Sequence, residues 1–278
     1  MLSAIPLTEI GYLVIALLVG GAATGILAGL LGVGGGGIIV PVLYEVFRII
    51  GVSEDVRMQL CIGTSLAIIV PTAFRSYKAH QARGAAIPGV LAAWRVPAVL
   101  GVVVGSAIAG FVRGWVLQAI FVALVTVLAT KSIAGRTEWR IGTGLPGKTA
   151  LRISGFFIGM ASSMIGVAGG GLSTILLGLY GVPIHAAVAT SAGLGMFIPL
   201  PGVVGYIIAG WAHMGQLPPL SLGYVSVIGF VCMAPVSALT APLGVRMAHA
   251  LPRRTLEIGF GVFLLLIAAR FLVAIIWP

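Results

Sequence analysis

The chain has 278 residues, of which 59% are hydrophobic and only 8% are charged, whereas an ordinary soluble domain carries about 25% charged residues. A water-soluble fold of this size would lack the polar side chains to cover its surface. The composition, with a mean hydropathy of +1.17, therefore excludes a soluble protein and predicts an all-α, polytopic helical membrane protein. The net charge of +10 comes from Lys and Arg that stand singly between apolar segments, which argues against a nucleic-acid-binding surface.

Ten apolar segments follow one another along the chain, and a run of about 20 residues is long enough to cross roughly 30 Å of hydrocarbon as a helix. The segments are residues 10–31, 36–51, 59–79, 87–110, 114–134, 149–166, 170–181, 186–209, 221–246 and 254–277. The second and the seventh are short, since at about 1.5 Å per residue they reach only about 18 to 24 Å. Each of these two is predicted to be a half-crossing helix or one arm of a re-entrant hairpin, which gives 8 to 10 membrane segments.

Loop charges predict the orientation, because cytoplasmic loops collect Lys and Arg. Three loops do so, and the flanking residues are Arg75, Lys78 and Arg83, then Lys131, Arg136, Arg140, Lys148 and Arg152, then Arg246, Arg253 and Arg254. The opposite loops carry only Arg57 and Arg113, with Arg48 just inside a segment end. Both termini are therefore predicted to be extracytoplasmic. The first ten residues contain no Lys or Arg, so the first segment is predicted to be retained and not cleaved as a signal peptide.

The sequence repeats itself. Residues 25–37, GILAGLLGVGGGG, align with residues 159–171, GMASSMIGVAGGG, at an offset of 134, and each copy ends a long segment and opens a short one. The last segments of the two halves align at an offset of 139. Five segments per half is an odd number, so the second half must enter the membrane from the other side. This pattern predicts two inverted-topology repeats, residues 1–134 and 149–278, joined by a cytoplasmic linker at 135–148.

The glycine runs predict a break in each half. Four consecutive glycines, Gly34 to Gly37, disfavour a helix because each costs about 1 kcal/mol relative to Ala. The free N–H groups at the start of the following helix attract an anion, so two breaks brought together by pseudo-symmetry would hold one small anion. The alternative is that the glycines only let helices pack closely, as Gly21, Gly25 and Gly29 do at four-residue spacing. A dinucleotide-binding loop is discounted, since a helix and not a strand precedes the run.

Hydroxyl groups and one arginine complete the predicted substrate site. Two Thr-Ser pairs at comparable positions of the third segments offer donors to an oxyanion, although such hydroxyls often bond their own backbone. Arg95 is either a functional intramembrane cation or a side chain that snorkels to the cytoplasmic interface, with Trp94 as an interfacial anchor. The predicted substrate-binding residues are Gly34, Gly35, Gly36, Gly37, Thr64, Ser65, Gly169, Gly170, Gly171, Thr190, Ser191 and Arg95.

Other chemistry has little support in the sequence. Glu45 and Glu257 are the carboxylates well inside apolar segments, and each would serve a proton relay or pair with a neighbouring arginine. Cys61 and Cys232 are predicted to be small core residues. There is no nucleophile and base pair, no H-E-x-x-H and no C-x-x-C, so we predict no catalytic residue, no metal site and no cofactor.

Several stretches resemble the sulfite exporter TauE/SafE family. They are GLLGVGGGGIIVP at 29–41, SMIGVAGGG at 163–171, PPLSLGYV at 218–225 and TAPLGVRMAHALPRRTLEIGFGVFLLL at 240–266, and together they cover nearly the whole chain. The resemblance implies a bacterial inner-membrane carrier that exports sulfur-containing anions such as sulfite, thiosulfate or organosulfonates. The family's His and Gly after the third segment stand here as His80 and Gly84, while Ala168 replaces a glycine and leaves the halves slightly unequal.

The sequence thus predicts a secondary transporter that exports sulfite or an organosulfonate by alternating access. Its expected partners are the small anionic substrate and the lipid bilayer, with no nucleic acid. A passive anion or small-solute channel is the alternative, and a membrane-embedded enzyme is a minor one. The sequence leaves the oligomeric state open, a homodimer included.

Overall fold

The computed structural model describes residues 7–31, 36–81, 86–135, 141–142, 144–250 and 253–276. Most of these residues are helical, which confirms the all-α, polytopic class. The helices are α1 (Leu7–Leu31), α2 (Gly36–Ile49), α3 (Glu54–Gln81), α4 (Pro88–Phe111), α5 (Gly114–Ala134), α6 (Lys148–Ile165), α7 (Gly170–Leu179), α8 (Ile184–Phe197), α9 (Pro199–Gly210), α10 (Val227–Ala250) and α11 (Arg253–Ile276).

Two of the ten predicted segments differ from the structure. The eighth is divided into α8 and α9, because Pro199 and Pro201 both lack the amide hydrogen that a continuous helix needs. The ninth begins later than predicted. A short 3₁₀ helix, Trp211–Gln216, and a two-stranded hairpin, β1 (Ser221–Leu222) and β2 (Val225–Ser226), precede α10.

Six helices in the described part of the chain are long and apolar enough to cross a membrane. They are Glu54–Arg75, Pro88–Phe111, Gly114–Ala134, His185–Gln216, Val227–Gly244 and Ile258–Ile276. Here α8, α9 and the 3₁₀ helix count together as the single stretch His185–Gln216. Two shorter apolar helices are Val14–Leu27 and Gly170–Leu179. In the first of the six, which belongs to α3, 78% of the most apolar 18-residue stretch is buried inside the protein. In the other five the buried share is 28 to 44%, so α3 is the central helix of the bundle.

The core surrounds α3, which packs against α2, α5, α8, α9 and α10. Its side chains Leu60, Ile62, Leu66 and Ile68 are fully buried, whereas Leu100 of α4 and other large apolar side chains of the outer helices are exposed. Lipid tails are as apolar as Leu, so close van der Waals packing, and not removal of apolar surface from water, holds such a bundle together.

Glycines bring two pairs of helices into backbone contact, α1 with α10 and α4 with α6. A Cβ added at Gly25 of α1 would overlap the carbonyl group of Ser237 in α10. A Cβ at Gly159 of α6 would likewise overlap the carbonyl group of Ala98 in α4. Gly159 is Gly25 plus 134 residues, and Ser237 is Ala98 plus 139, so the two contacts are related by the offsets of the sequence repeat.

The same offsets relate further contacts between these helices. Gly244 of α10 lies against the carbonyl group of Ile26 in α1. A Cβ added at Gly105 of α4 would lie 2.7 Å from the carbonyl oxygen of Met160 in α6. Two more contacts are related by the same offsets, Gly21 against Met233 and Gly155 against Trp94. The first helix of each half, α1 or α6, therefore packs on the helix of the other half's fourth predicted segment, α10 or α4, in corresponding registers.

Candidate functional site

The second glycine run breaks the helix inside the protein. Helix α6 ends at Gly166, whose φ is +70°, and α7 begins after Gly169, whose φ is +77°. Both angles lie in the left-handed region, which glycine adopts without a steric penalty. Residues 162–171 are all buried. This agrees with the rule that unwound backbone at membrane depth must be covered by protein or line a cavity.

Helix α3 satisfies part of this broken backbone. The hydroxyl of Ser65 donates a hydrogen bond of 2.8 Å to the carbonyl oxygen of Gly166, and both groups are buried. A Cβ at Gly166 would lie 2.9 Å from a methyl group of Val40 in α2. Ser65 lies near the middle of α3, so the break lies in the interior of the bundle between the two halves.

Helix α7 turns back toward the side from which α6 starts. The amide of Ile141, in the linker between α5 and α6, donates to the carbonyl oxygen of Leu179 at 2.8 Å. Lys131, in the last turn of α5, donates to the carbonyl oxygen of Ile175 at 3.2 Å. Because the linker joins the end of α5 to the start of α6, α7 ends on that same side. Helices α6 and α7 thus have the arrangement of a re-entrant hairpin.

Only part of the first glycine run can be compared. Gly34 and Gly35 lie outside the described residues, and Gly36 and Gly37 open α2. A Cβ at Gly37 would lie 3.3 Å from a methyl group of Leu264 in α11. The described part of the run is therefore the start of a short helix, as in the second half.

The two predicted threonines hold the starts of other helices. The hydroxyl oxygen of Thr64 accepts the amide hydrogen of Ser226, just before α10, at 2.9 Å. That of Thr190 accepts the amide hydrogen of Ile87, just before α4, also at 2.9 Å, and its own hydrogen goes to the carbonyl oxygen of Ala186. Ser226 is Ile87 plus 139 residues, an offset of the repeat, whereas Thr190 is Thr64 plus 126, so the two bonds resemble each other in their place at a helix start.

The two serines next to them contact the second break and the helix that follows it. Ser65 bonds Gly166, as described above, and the hydroxyl oxygen of Ser191 in α8 accepts a hydrogen bond of 2.9 Å from Thr174 in α7. Ser191 is almost fully buried. Ser65 therefore contacts the second break itself, whereas Ser191 contacts α7 beyond its first turn, at Thr174.

Helix α9 shows which parts of α3 and α4 lie at the same level of the bundle. A Cβ at Gly202 would lie 2.8 Å from a methyl group of Leu66 in α3 and 3.5 Å from a methyl group of Val102 in α4. Leu66 and Val102 therefore lie at one level. Thr64 belongs to the same turn of α3 as Leu66 and lies near that level.

The two threonines are consequently far apart. Thr190 bonds Ile87 at the start of α4, and Ile87 and Val102 are separated by 15 residues. At about 1.5 Å per residue, this part of α4 extends over roughly 20 Å. In this conformation Thr64 and Thr190 therefore lie at different levels of the bundle, and their joint contact with one anion stays a prediction.

Arg95 lies on the exposed face of α4 and not among the site residues. Its position agrees with snorkelling, the alternative that the sequence left open. The expectation that Trp94 anchors the helix at the interface is wrong. Trp94 is fully buried against Gly155, and its indole N–H donates to the hydroxyl oxygen of Ser154 at 3.2 Å.

Glu45 is part of an ion-pair network and does not stand alone. Its carboxylate lies 2.8 Å from Nε of Arg48, the predicted partner, and 2.9 Å from Nη2 of Arg270 in α11. The side chain of Glu257 falls outside the described set. Cys61 is buried in the core, as predicted, and Cys232 is partly buried; both are free thiols.

Sequence reasoning missed two residues that face the break, Ser162 and Ile198. An added Cβ at Gly169 would lie 2.9 Å from the hydroxyl oxygen of Ser162 and 2.6 Å from a methyl group of Ile198. The signal for the first was a Ser-Ser pair directly before the glycine run, where the other half has Ala28 and Gly29. The signal for the second was its place just before the two prolines at 199 and 201.

A bundle of membrane-crossing helices whose core holds a buried helix break defines a polytopic membrane protein of the transporter class. The family model described as Sulfite exporter TauE/SafE matches residues 17–271, and the chain belongs to this family. A probable membrane transporter protein of Haemophilus influenzae is 34% identical over 257 residues, which are 92% of this chain and 97% of that protein. A probable membrane transporter protein of Methanocaldococcus jannaschii is 23% identical over 252 residues, 87% of this chain and 89% of that protein. The chain is a membrane transporter of the TauE/SafE type and not an enzyme.

Proposed function

We propose that the protein is a secondary transporter that exports a small sulfur-containing anion, sulfite or an organosulfonate, across the bacterial inner membrane by alternating access. The observation that carries the proposal is the buried break before α7, where N–H groups at a helix start lie deep in the bundle and have no partner among the described residues. Helix starts bind anions without a fixed positive charge. An anion held in this way leaves more readily than one held by a buried arginine, whose desolvation would also be costly when the site is empty.

Two inverted repeats, residues 1–134 and 149–278 with the linker at 135–148, are part of the proposal. The glycine contacts between α1 and α10 recur between α6 and α4 at the same two sequence offsets. The bond from Ser226 to Thr64 resembles the bond from Ile87 to Thr190 in its place at a helix start. Such correspondences support a pseudo-twofold relation between the halves, the architecture in which rocking of one repeat against the other gives alternating access.

The site that we propose is smaller than the one predicted from the sequence. It comprises Gly169 to Gly171 with Ser65 at its border, and by the repeat it includes the run Gly34 to Gly37. Ser191 is left out, because it contacts α7 beyond the first turn, at Thr174. Thr64 and Thr190 belong to the scaffold because their hydroxyls hold the starts of α10 and α4. Arg95 is left out, since it lies on the exposed face of α4.

The orientation follows the charges of the loops. The linker side, where α5 and α7 end, is flanked by basic residues and is assigned to the cytoplasm. Both termini then face the outside. Export of sulfite in this orientation requires the site to open alternately toward the linker and toward the short loop at 112–113.

Counterflow in liposomes tests the proposal. Vesicles containing unlabelled sulfite or taurine should accumulate the labelled anion transiently, because a carrier exchanges substrate across the membrane. Gly170→Leu should abolish accumulation by blocking the helix start. The matched control is Gly259→Leu in α11, since a Cβ at Gly259 meets no atom within 4 Å.

Two results would contradict the proposal. Fluxes that do not respond to the anion on the opposite side would indicate a passive channel. Normal counterflow by Gly170→Leu, in protein that inserts as the control does, would mean that the glycines serve packing alone.

A further inference from the structure

Ser162 carries a buried hydroxyl whose oxygen has no hydrogen-bond partner among the described residues. The residue is fully buried in the last turn of α6. Its neighbour Ser163 is equally buried, but the hydroxyl of Ser163 donates to the carbonyl oxygen of Met160 at 2.9 Å. Buried hydroxyls are usually bonded, and an unpaired one is costly. The free hydroxyl of Ser162 is therefore available to a ligand.

This hydroxyl lies beside the start of α7. Its oxygen is 2.9 Å from the position that a Cβ would take at Gly169, the residue that precedes the helix. Methyl groups of Ile198 and Ile158 lie 2.6 and 3.4 Å from the same position. The start of α7 is thus bordered by one polar group and two apolar side chains.

The first amides of α7 also have no hydrogen-bond partner in the described part of the chain. The first helical bond runs from the amide of Ser173 to the carbonyl oxygen of Gly169 at 3.0 Å. The amides of Gly170, Gly171 and Leu172 precede it and have no partner within the helix. The first turn contains no acidic residue, and the two glycines have no side chain that would keep a ligand away from the backbone.

We infer that Ser162 and the first turn of α7 form a subsite for the oxygen atoms of a sulfite or sulfonate group, covered by Ile198. The inference rests on the proposed function, and it names the chemical group that the second break recognises. Three amides and one hydroxyl are suited to the three oxygens of such a group. The apolar walls exclude water, which strengthens these hydrogen bonds.

The subsite belongs to the second half only. In the repeat, Ser162 corresponds to Ala28, which has no hydroxyl. The bound anion therefore lies off the pseudo-symmetry axis, closer to α7 than to α2. This asymmetry distinguishes the subsite from a site shared equally by the two glycine runs.

The test compares Ser162→Ala with Ser163→Ala in the full-length protein. The first measurement is the apparent KM for sulfite in counterflow. Ser162→Ala should raise it roughly tenfold, the effect of losing a hydrogen bond to a charged group, and Ser163→Ala should leave it unchanged. Ser162→Cys, with a weak donor of similar size, should lie between wild type and Ser162→Ala.

The second measurement does not depend on transport. It is the thermal stabilisation of the detergent-solubilised protein by sulfite, with chloride as the control anion. Without ligand, Ser162→Ala should melt at or above the wild-type temperature, because it removes a hydroxyl that has no partner. With sulfite, wild type and Ser163→Ala should be stabilised and Ser162→Ala should not.

Equal KM values and equal stabilisation by sulfite in wild type, Ser162→Ala and Ser162→Cys would overturn the subsite, while sulfite counterflow by wild type would leave the proposed function intact. If wild type shows no counterflow but sulfite stabilises wild type and not Ser162→Ala, the subsite holds and the transport proposal fails. A lower melting temperature of ligand-free Ser162→Ala with an unchanged KM would assign the hydroxyl a structural role and also overturn the subsite.

Discussion

Replacing Ser65 by Ala should destabilise the protein through the break before α7. The hydroxyl of Ser65 donates to the carbonyl oxygen of Gly166 at 2.8 Å, and both groups are buried. Without the hydroxyl, this carbonyl oxygen loses the side-chain donor that satisfies it inside the bundle. An unsatisfied buried group costs about 1 to 3 kcal/mol. At about 2 to 4 °C per kcal/mol for a chain of this size, the melting temperature should fall by roughly 2 to 12 °C.

The assay is thermal unfolding of the purified protein in detergent, followed by tryptophan fluorescence. Thr130→Ala is the matched control, because the exposed hydroxyl of Thr130 bonds the carbonyl oxygen of Thr126 in its own helix and should shift the melting temperature little. If Ser65→Ala melts at the wild-type temperature, the bond to Gly166 does not stabilise the break, and the reasoning about its backbone is refuted.

Two further predictions concern the scaffold and the orientation. Thr64→Ala and Thr190→Ala should each lower the melting temperature by an amount similar to that for Ser65→Ala, because each leaves a backbone amide unsatisfied, that of Ser226 or that of Ile87. The KM for sulfite should stay unchanged. A raised KM at an unchanged melting temperature would instead place the threonines in the substrate site. A cysteine at Gly142 should resist an impermeant thiol reagent applied to intact cells and react after permeabilisation, and ready labelling of intact cells would reverse the assigned orientation.

The class, the segments and the break were predictable because each depends on local composition. An apolar run long enough for the bilayer predicts a helix, and a glycine run such as Gly169 to Gly171 predicts its interruption whatever surrounds it. The division of the eighth segment was also visible in the sequence, since Pro199 and Pro201 stand two residues apart. These features can be predicted without knowing which helices pack against each other.

The composition of the site was not predictable in the same way. Thr64 and Thr190 occupy comparable positions in the third segments of the two proposed halves, but in the inverted repeat that we propose such positions lie toward opposite faces of the membrane unless they are on the axis. Their comparable positions in the sequence therefore do not determine the distance between the two threonines in the structure. The role of Trp94 failed for a related reason, because only the packing of α4 on Gly155 shows that the indole faces the bundle.

The packing of α1 on α10 has a consequence for the order of assembly during synthesis. Residues 32 to 226, 195 positions, separate the end of α1 from the start of α10. Helix α1 can pack on α2 early, since Gly20 lies against Val42, but until the ribosome has made α10 the face of α1 with Gly21 and Gly25 has only lipid or an insertion factor to contact. Helix α6, by contrast, follows its partner α4 after a short interval and can pair with it on insertion. The nascent chain is therefore expected to form the α4–α6 pair first and to cover the Gly21 and Gly25 face of α1 only when α10 inserts.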